Sequence, residues 1–443
     1  MRRVVRFAWG IVSLGLLAGS AVGVELRVVS LNASNAGSQT AAPRAGMDQI
    51  LAAVGSAISD DPLLPGNSGV ARPIDILCLQ ESRSSALTGV PYANLLNTIY
   101  GTDRYAAGTL DGASTGSGTQ VVVYNRQTVQ LLGMTAVGTA STAGMPRQAL
   151  RYQFRPAGLI SPEADVFVYN LHAKAGNTAT DRDRRLIEAQ TVRTDADALG
   201  PGRNLIVLGD LNVYRDAEPM YQHLLSAGNG RVVDPIAAPG VWSGNDAFRP
   251  VHTQSPWDST LATQTGFNGS GGGMDDRFDQ QLTSPAIMTG DAGLRYVVNS
   301  YFAFGNDGTH ALDRPITTGT GASHDVLKAM AGILDHLPVV ADYRLVPRLG
   351  LAHPGDANLD LTTNLADFAI LARRFNRPAD WFAGDFNADG TTGIADFSIL
   401  AVHFNTTAAP ARPAAIPEPT TTAALAAACL ALFACRRAGN AMA

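Results

Sequence analysis

The sequence predicts an α/β fold built in layers, followed by a small all-α module with paired calcium loops. Three observations carry this expectation. Between Glu25 and Val346, short β-rich apolar runs alternate with longer helical or loop stretches. Polar, chemistry-bearing residues repeatedly fall at the ends of those runs, which is where layered α/β folds build their sites. Past residue 353, one segment repeats itself at a period of 29 residues.

The elements follow in chain order. The opening "MRRVVRFAWGIVSLGLLAGSAVGVE" places Arg2, Arg3 and Arg6 before an apolar stretch and then small residues. That order is a secretory signal over 1–24, too short in its apolar part for a comfortable membrane span. The chain is therefore expected to be secreted or held at the cell surface or envelope. Strands are expected at 26–32, 74–81, 119–125, 164–172, 204–212, 277–284 and 336–345, and helices at 46–60, 180–200 and 217–228. Residues 235–276, rich in Gly and Ser, read as a long surface loop. Residues 347–353 read as a linker, 354–406 as the repeat module, 407–415 as a flexible spacer and 416–443 as a sorting tail.

Composition bounds the function. With 46% apolar and 16% charged residues over 443 positions, the chain can bury a core. A net charge of -5 gives no broad basic surface for coating nucleic acid. Three cysteines argue against a disulfide framework, and Cys78, inside an apolar run, reads as a core thiol. Lys174 and Lys328 are the only lysines, which singles out Lys174 beside His172.

The polar residues at run ends are Asn32, Glu81, His172, Asp210, Asn212, Asp279, Asp335 and His336. Carboxylates without thiol or multi-histidine clusters suit a hard cation such as Mg²⁺. A phosphate ester needs a cation on its non-bridging oxygens, a base for water and help at the leaving oxygen. Glu81 is placed to hold the cation. The strand period of two sets Asp210 and Asn212 on one face, one for water and one for phosphate. A histidine paired with a carboxylate keeps its tautomer and charge.

The segments "VVSLN", "DILCLQES", "YNLHAKAG", "VLGDLN", "RFDQQLTS" and "LDHLPVV" together resemble the endonuclease/exonuclease/phosphatase superfamily over roughly 25–346. The resemblance implies a four-layer α/β sandwich, DNase I-like, with two packed mixed sheets flanked by helices. It implies that Glu81 binds Mg²⁺ or Mn²⁺ with Asn32 and Asp335 near the metal. Asp210 would then position the attacking water and Asn212 contact the scissile phosphate. Asp279 would orient His336, which works on the phosphate or its water, with Asp276 a rival for that orienting role. His172 would be the acid for the leaving group. The "HAKAG…DRDRR" segment, with Lys174, Arg184 and Arg185, resembles secreted bacterial members, and Lys174 and Arg185 are expected at the substrate phosphate.

In the repeat, "GDANLDLTTNLADFAILARRFN" (355–376) aligns without gaps with "GDFNADGTTGIADFSILAVHFN" (384–405). Asp356, Asn358, Asp360 and Asp367 have the oxygen-ligand spacing of a Ca²⁺ loop, and Asp385, Asn387, Asp389 and Asp396 repeat it. Position six is Gly390 in the second loop but Leu361 in the first. The pair resembles a dockerin type I module, which implies a cohesin-like partner; intramolecular stabilisation or surface attachment is the alternative. The tail, with Pro417-Glu418-Pro419, an apolar stretch and Arg436-Arg437, resembles a PEP-CTERM sorting signal. That implies an exosortase-type processing enzyme and membrane contact only through signal and tail before processing. The resulting expectation is a secreted metal-dependent phosphodiesterase of nuclease type. The alternatives are a catalytically vestigial scaffold, or a phosphatase or sphingomyelinase-like enzyme of the same fold.

Overall fold

The computed structural model describes residues 25–36, 40–57, 72–113, 116–139 and 146–409. The expected signal, most of the spacer and the sorting tail lie outside the described residues. Strands β1 (Glu25–Asn32), β2 (Ile76–Ser82), β3 (Tyr105–Ala107) and β4 (Thr119–Asn125) open a first sheet. A second sheet takes β5 (Val129–Val137), β6 (Ala149–Pro156), β7 (Val166–His172), β8 (Asn204–Asp210) and β9 (Asp279–Thr283) in that order. The chain then returns to the first sheet with β10 (Leu294–Tyr296), β11 (Phe302–Ala303) and β12 (Val339–Leu345). Its order is β10-β12-β1-β2-β4-β3, with β11 also on β12. Both sheets are mixed: β1 with β2 and β7 with β8 are parallel, and the other pairs are antiparallel.

Helices cover the outer faces. In chain order they are α1 (Met47–Ser56), α2 (Val90–Tyr100), α3 (Ala179–Ala198), α4 (Pro219–Leu225), α5 (Ser259–Thr265), α6 (Pro285–Thr289) and α7 (His324–Ile333). Buried residues of α1, α2 and α7 pack with Val29, Leu31, Leu77 and Leu79 of the first sheet. Those of α3 and α4 pack with Phe167, Tyr169, Leu205 and Val207 of the second. Alternate residues of the same strands, among them Val28, Ile76, Cys78, Val168, Ile206 and Leu208, fill the space between the sheets. The result is the expected four-layer α/β/β/α sandwich.

The inner-face positions change character along each strand. Val28 is followed two residues on by Ser30 and then Asn32; Val168 by Asn170 and His172; Ile206 by Leu208 and Asp210. In β1 and β7 apolar core thus gives way to a neutral polar group and then to chemistry, in β8 directly to chemistry, all at one edge. The neutral layer is cross-linked between sheets. Gln80 Nε2 donates to Asn170 Oδ1 at 2.6 Å, and Gln281 Nε2 donates to the Val28 and Val339 carbonyls at 3.0 and 2.8 Å. These bonds between the sheets fix their relative position.

Several expectations need correction. Residues 235–276 are not simply a surface loop: they contain α5 and bury Trp242, His252, Thr253 and Ser255. Residues 347–353 are not a free linker, because Leu351 and Ala352 are buried and the Leu351 carbonyl accepts from Ile160 N at 2.7 Å. The repeat module is not all-α. Its helices α8 (Leu365–Arg374) and α9 (Ile394–Val402) each follow a loop. Short strands β13 (Thr362–Thr363), β14 (Arg377–Pro378), β15 (Thr391–Thr392) and β16 (Thr406–Thr407) join the two halves, β13 with β16 and β14 with β15.

This module docks on the sandwich. Ala357, Leu359, Leu371, Trp381, Phe386 and Leu400 share one core with the inter-sheet residues. Leu359 sits over Gly158 in the β6–β7 turn, so closely that a Cβ there would lie 2.4 Å from the Leu359 Cβ. Arg344 Nη2 pairs with Asp380 Oδ2 at 2.8 Å. The β6–β7 turn and the end of β12 lie at the opposite end of the strands from His172 and Asp210.

Candidate functional site

Strand direction gathers the site. The carboxyl ends of the parallel pairs bring Asn32 and Glu81 from one sheet, and His172 and Asp210 from the other, to the same edge. The register then puts His172 beside Asp210 and Asp210 beside Asp279, three adjacent strands in a row. The turn before β12 adds Asp335 and His336. Gly209, at φ 130°, precedes Asp210; a Cβ there would lie 1.9 Å from the Leu171 carbonyl oxygen, so β8 can approach β7 only with glycine.

His336 Nδ1 is 2.7 Å from Asp279 Oδ2, and its Nε2 is 3.8 Å from Asp210 Oδ2. Asp279 is thus the orienting carboxylate rather than Asp276. Burial opposes charge on His336, but Asp279 and Asp210 outweigh it and hold its pKa well above the usual value. Burial raises the Asp210 carboxyl, and Asp279 and Glu81 add to the rise while His336 opposes it. Asp210 Oδ2 also accepts from Asn32 Nδ2 at 3.2 Å, and its Oδ1 from Asn212 N at 3.1 Å.

That last bond corrects the expected geometry of Asn212. The strand ends at Asp210, and Asn212 has φ 52°, so the two are joined by an Asx turn rather than by strand period. Asn212 Nδ2 donates to the Ala173 carbonyl at 3.1 Å, which ties it to the loop after His172.

Glu81 also departs from regular strand. The β2–β4 register shifts between Leu79 and Ser82, and Glu81 stands at φ 51°. The bulge carries its carboxylate to Asn32 Nδ2, 3.1 Å away. Burial and then the neighbouring Asp335 raise the Glu81 pKa. Carboxylate and amide oxygens gathered at one edge are a fitting seat for a hard divalent cation. Asp335 is held by Ser34 Oγ at 2.5 Å and Ser270 N at 2.8 Å. Asp210, Asp279 and His336 also lie close enough to share an ion.

His172 lies in the site, with Nε2 3.5 Å from Asp210 Oδ2 and 3.7 Å from Glu81 Oε1. Burial, Arg147 and His336 push its pKa well below the usual value. A neutral imidazole does not fit the expected resting acid; the charged histidine of the pair is His336. Arg185 is a second correction. It is fully buried, pairs with Glu218 at 2.7 Å and donates to the Lys174 and Gly176 carbonyls, so it braces the loop and is closed to substrate. Lys174 Nζ is spent on Asp181, 3.0 Å away, at the start of α3.

Two site residues carried no motif. Arg147 Nη1 donates to the His172 and Ala173 carbonyls at 3.2 and 2.8 Å, which ties a cation to the backbone at this histidine. Gln254 Nε2 lies 2.8 Å from His336 Nε2. Both sit in irregular segments, where spacing gives no signal.

In the repeat loops, Asp367 Oδ1 accepts from Ala357 N and Asn358 N while its Oδ2 accepts from Asn364 N; Asp396 does the same with Phe386, Asn387 and Gly393. Asp356 and Asp385 each accept two loop N–H groups. Asn358 and Asn387 donate to Asp360 and Asp389. The eight expected ligands thus gather into two matching loops. Among the described residues no helix is long and apolar enough to cross a membrane.

Comparison with known proteins gives a family match, described as the Endonuclease/Exonuclease/phosphatase family, over residues 29–301. No curated protein matches. Similar solved structures include truncated TDP2 from Caenorhabditis elegans, 17% identical, covering 72% of this chain and 97% of that one at a TM-score of 0.40. The human Nocturnin catalytic domain with bound sulfate is 15% identical, covering 73% and 95% at 0.41. A family protein from Bacteroides thetaiotaomicron is 16% identical, covering 72% and 94% at 0.40.

Proposed function

The chain belongs to the endonuclease/exonuclease/phosphatase family, whose match spans 29–301, and we propose that it is a secreted, divalent-metal-dependent phosphoesterase acting on phosphodiesters. The observation that carries this reading is the single-edge convergence of Asp210, the Asp279–His336 pair, Glu81 and Asn32. The water, phosphoryl and cation roles each have a side chain in reach of the others, which argues against a vestigial scaffold.

In this reading Asp210, made more basic by burial, takes the proton of the attacking water. His336, held charged by Asp279, donates from Nε2 to a phosphoryl oxygen as negative charge accumulates there. Asn212 has one amide N–H on Ala173 and turns the other to the phosphate. His172 stays neutral and holds its place beside Asp210 and Glu81. Glu81, Asn32 and Asp335 would hold Mg²⁺ or Mn²⁺. When bound, that cation supplies charge neutralisation of the phosphate and of the leaving oxygen.

The repeat loops would bind Ca²⁺, as their matched carboxylates suggest. The outer faces of α8 and α9 leave Leu365, Phe368, Ile394 and Phe397 exposed at equivalent positions of the repeat, a surface for a cohesin-like or other envelope partner. The test is hydrolysis of bis(p-nitrophenyl) phosphate, single-stranded nucleic acid, a phosphomonoester and sphingomyelin, each with Mg²⁺ and with chelator. Diester cleavage that requires Mg²⁺ is expected; inactivity on all four would leave the scaffold reading.

A further inference from the structure

His336 has two ring nitrogens, and the structure accounts for both. Nδ1 is taken by Asp279 at 2.7 Å, so Nε2 alone is left to face a substrate. The Gln254 amide sits on that nitrogen at 2.8 Å. The place is fixed by the backbone. Gln254 N donates to the Asp276 carbonyl at 3.1 Å, and Asp275 N donates to the Gln254 carbonyl at 2.9 Å. The preceding Thr253 accepts from Asp279 N at its Oγ1 and from Leu337 N at its carbonyl. The segment therefore joins the strand bearing Asp279 to the turn bearing His336, and Gln254 is the member whose side chain stays partly exposed.

An amide is suited to that place. It offers an acceptor oxygen and two N–H donors on one rotatable bond, so it matches Nε2 in either protonation state. A phosphoryl oxygen that reaches His336 Nε2 must take the position the amide now holds. When the amide rotates aside, its N–H groups face the incoming anion. We propose that Gln254 is a substrate-positioning residue that holds His336 in the free enzyme and donates to a non-bridging phosphate oxygen once the phosphoester binds. This rests on the phosphoesterase reading above and names a residue outside the expected set.

The experiment compares wild type, Gln254→Ala, Gln254→Met and Gln254→Glu on bis(p-nitrophenyl) phosphate with Mg²⁺, together with inhibition by inorganic phosphate. In the Ala and Met variants, KM and the phosphate inhibition constant should both rise by about 10-fold while kcat stays within about 3-fold. Gln254→Glu, which sets a carboxylate against the anion, should raise KM further. Unchanged KM and phosphate inhibition in Ala and Met would overturn the proposal, and so would a fall in kcat that tracks a loss of melting temperature. An inactive wild type would instead strike the phosphoesterase reading.

Discussion

Asp279 Oδ2 and His336 Nδ1 meet at 2.7 Å across the join between the two sheets, one residue from each. The carboxylate begins β9 in the second sheet; the imidazole precedes β12 in the first. Any slippage of one sheet on the other would break the pair.

Asp279→Asn removes the charge that holds His336 protonated. His336 is raised in the folded protein, so its charge is present at low pH and lost as pH rises through its pKa. Without Asp279 that loss comes at lower pH. The alkaline limb of the kcat/KM profile should move toward neutrality, with activity at pH 8 down by about 100-fold; an unmoved limb would show that His336 does not carry the limb.

Asp210→Asn should abolish turnover, by about 1,000-fold or more, without lowering the melting temperature. Burial raises this carboxyl, so its charge costs stability and an amide relieves that cost. The paired readings of rate and thermal melt separate catalysis from scaffolding.

Chelation should stop hydrolysis, and Glu81→Gln should raise the Mg²⁺ concentration for half-maximal rate by at least about 10-fold. Titration of rate against Mg²⁺ in both proteins checks this.

Truncation after residue 346 should destabilise the sandwich, because Leu351, Ala352 and Leu359 are part of its core. Leu359→Ala alone should cost about 2–4 kcal/mol. Ca²⁺ should raise the melting temperature of the whole chain, and Asp367→Ala should remove most of that rise. Thermal melts of the full chain with Ca²⁺ and with chelator decide it.

Asp75 is buried and accepts from Arg27 N and Thr128 Oγ1, each at 2.7 Å, and burial raises its pKa to about 7. A raised carboxyl contributes its full stability below the ordinary value of 3.8 and loses it as pH climbs through about 7. Asp75→Asn keeps an acceptor for Arg27 and turns a donor toward Thr128. It should be more stable than wild type at pH 8, on the order of 2 kcal/mol, with the advantage gone at pH 4. Denaturant melts at the two pH values test the sign.

Much of this was legible in the sequence where two pressures coincided. β1, β7 and β8 are mostly apolar and close on a chemistry-bearing inner residue, so both their runs and their ends show in the sequence. The β5–β6 hairpin escaped because many of its positions are only half-buried and its apolar spacing is diluted. Helices α2 and α7 escaped because Pro91 and the small residues around Gly332 mask their period. Arg185 is no substrate contact despite the resemblance of its segment, and its partner Glu218, 33 residues away, lies outside any local pattern. Gln254 and Arg147 could not be read, since their roles come from where irregular backbone is pinned.

The module and the catalytic edge lie at opposite ends of the same strands, as the positions of Gly158 and Leu359 against those of His172 and Asp210 show. The partner proposed for α8 and α9 would therefore hold the protein at the end away from that edge. A partner bound there would leave Asp210 and His336 at the far end uncovered, so a polymeric substrate could reach them without passing the contact.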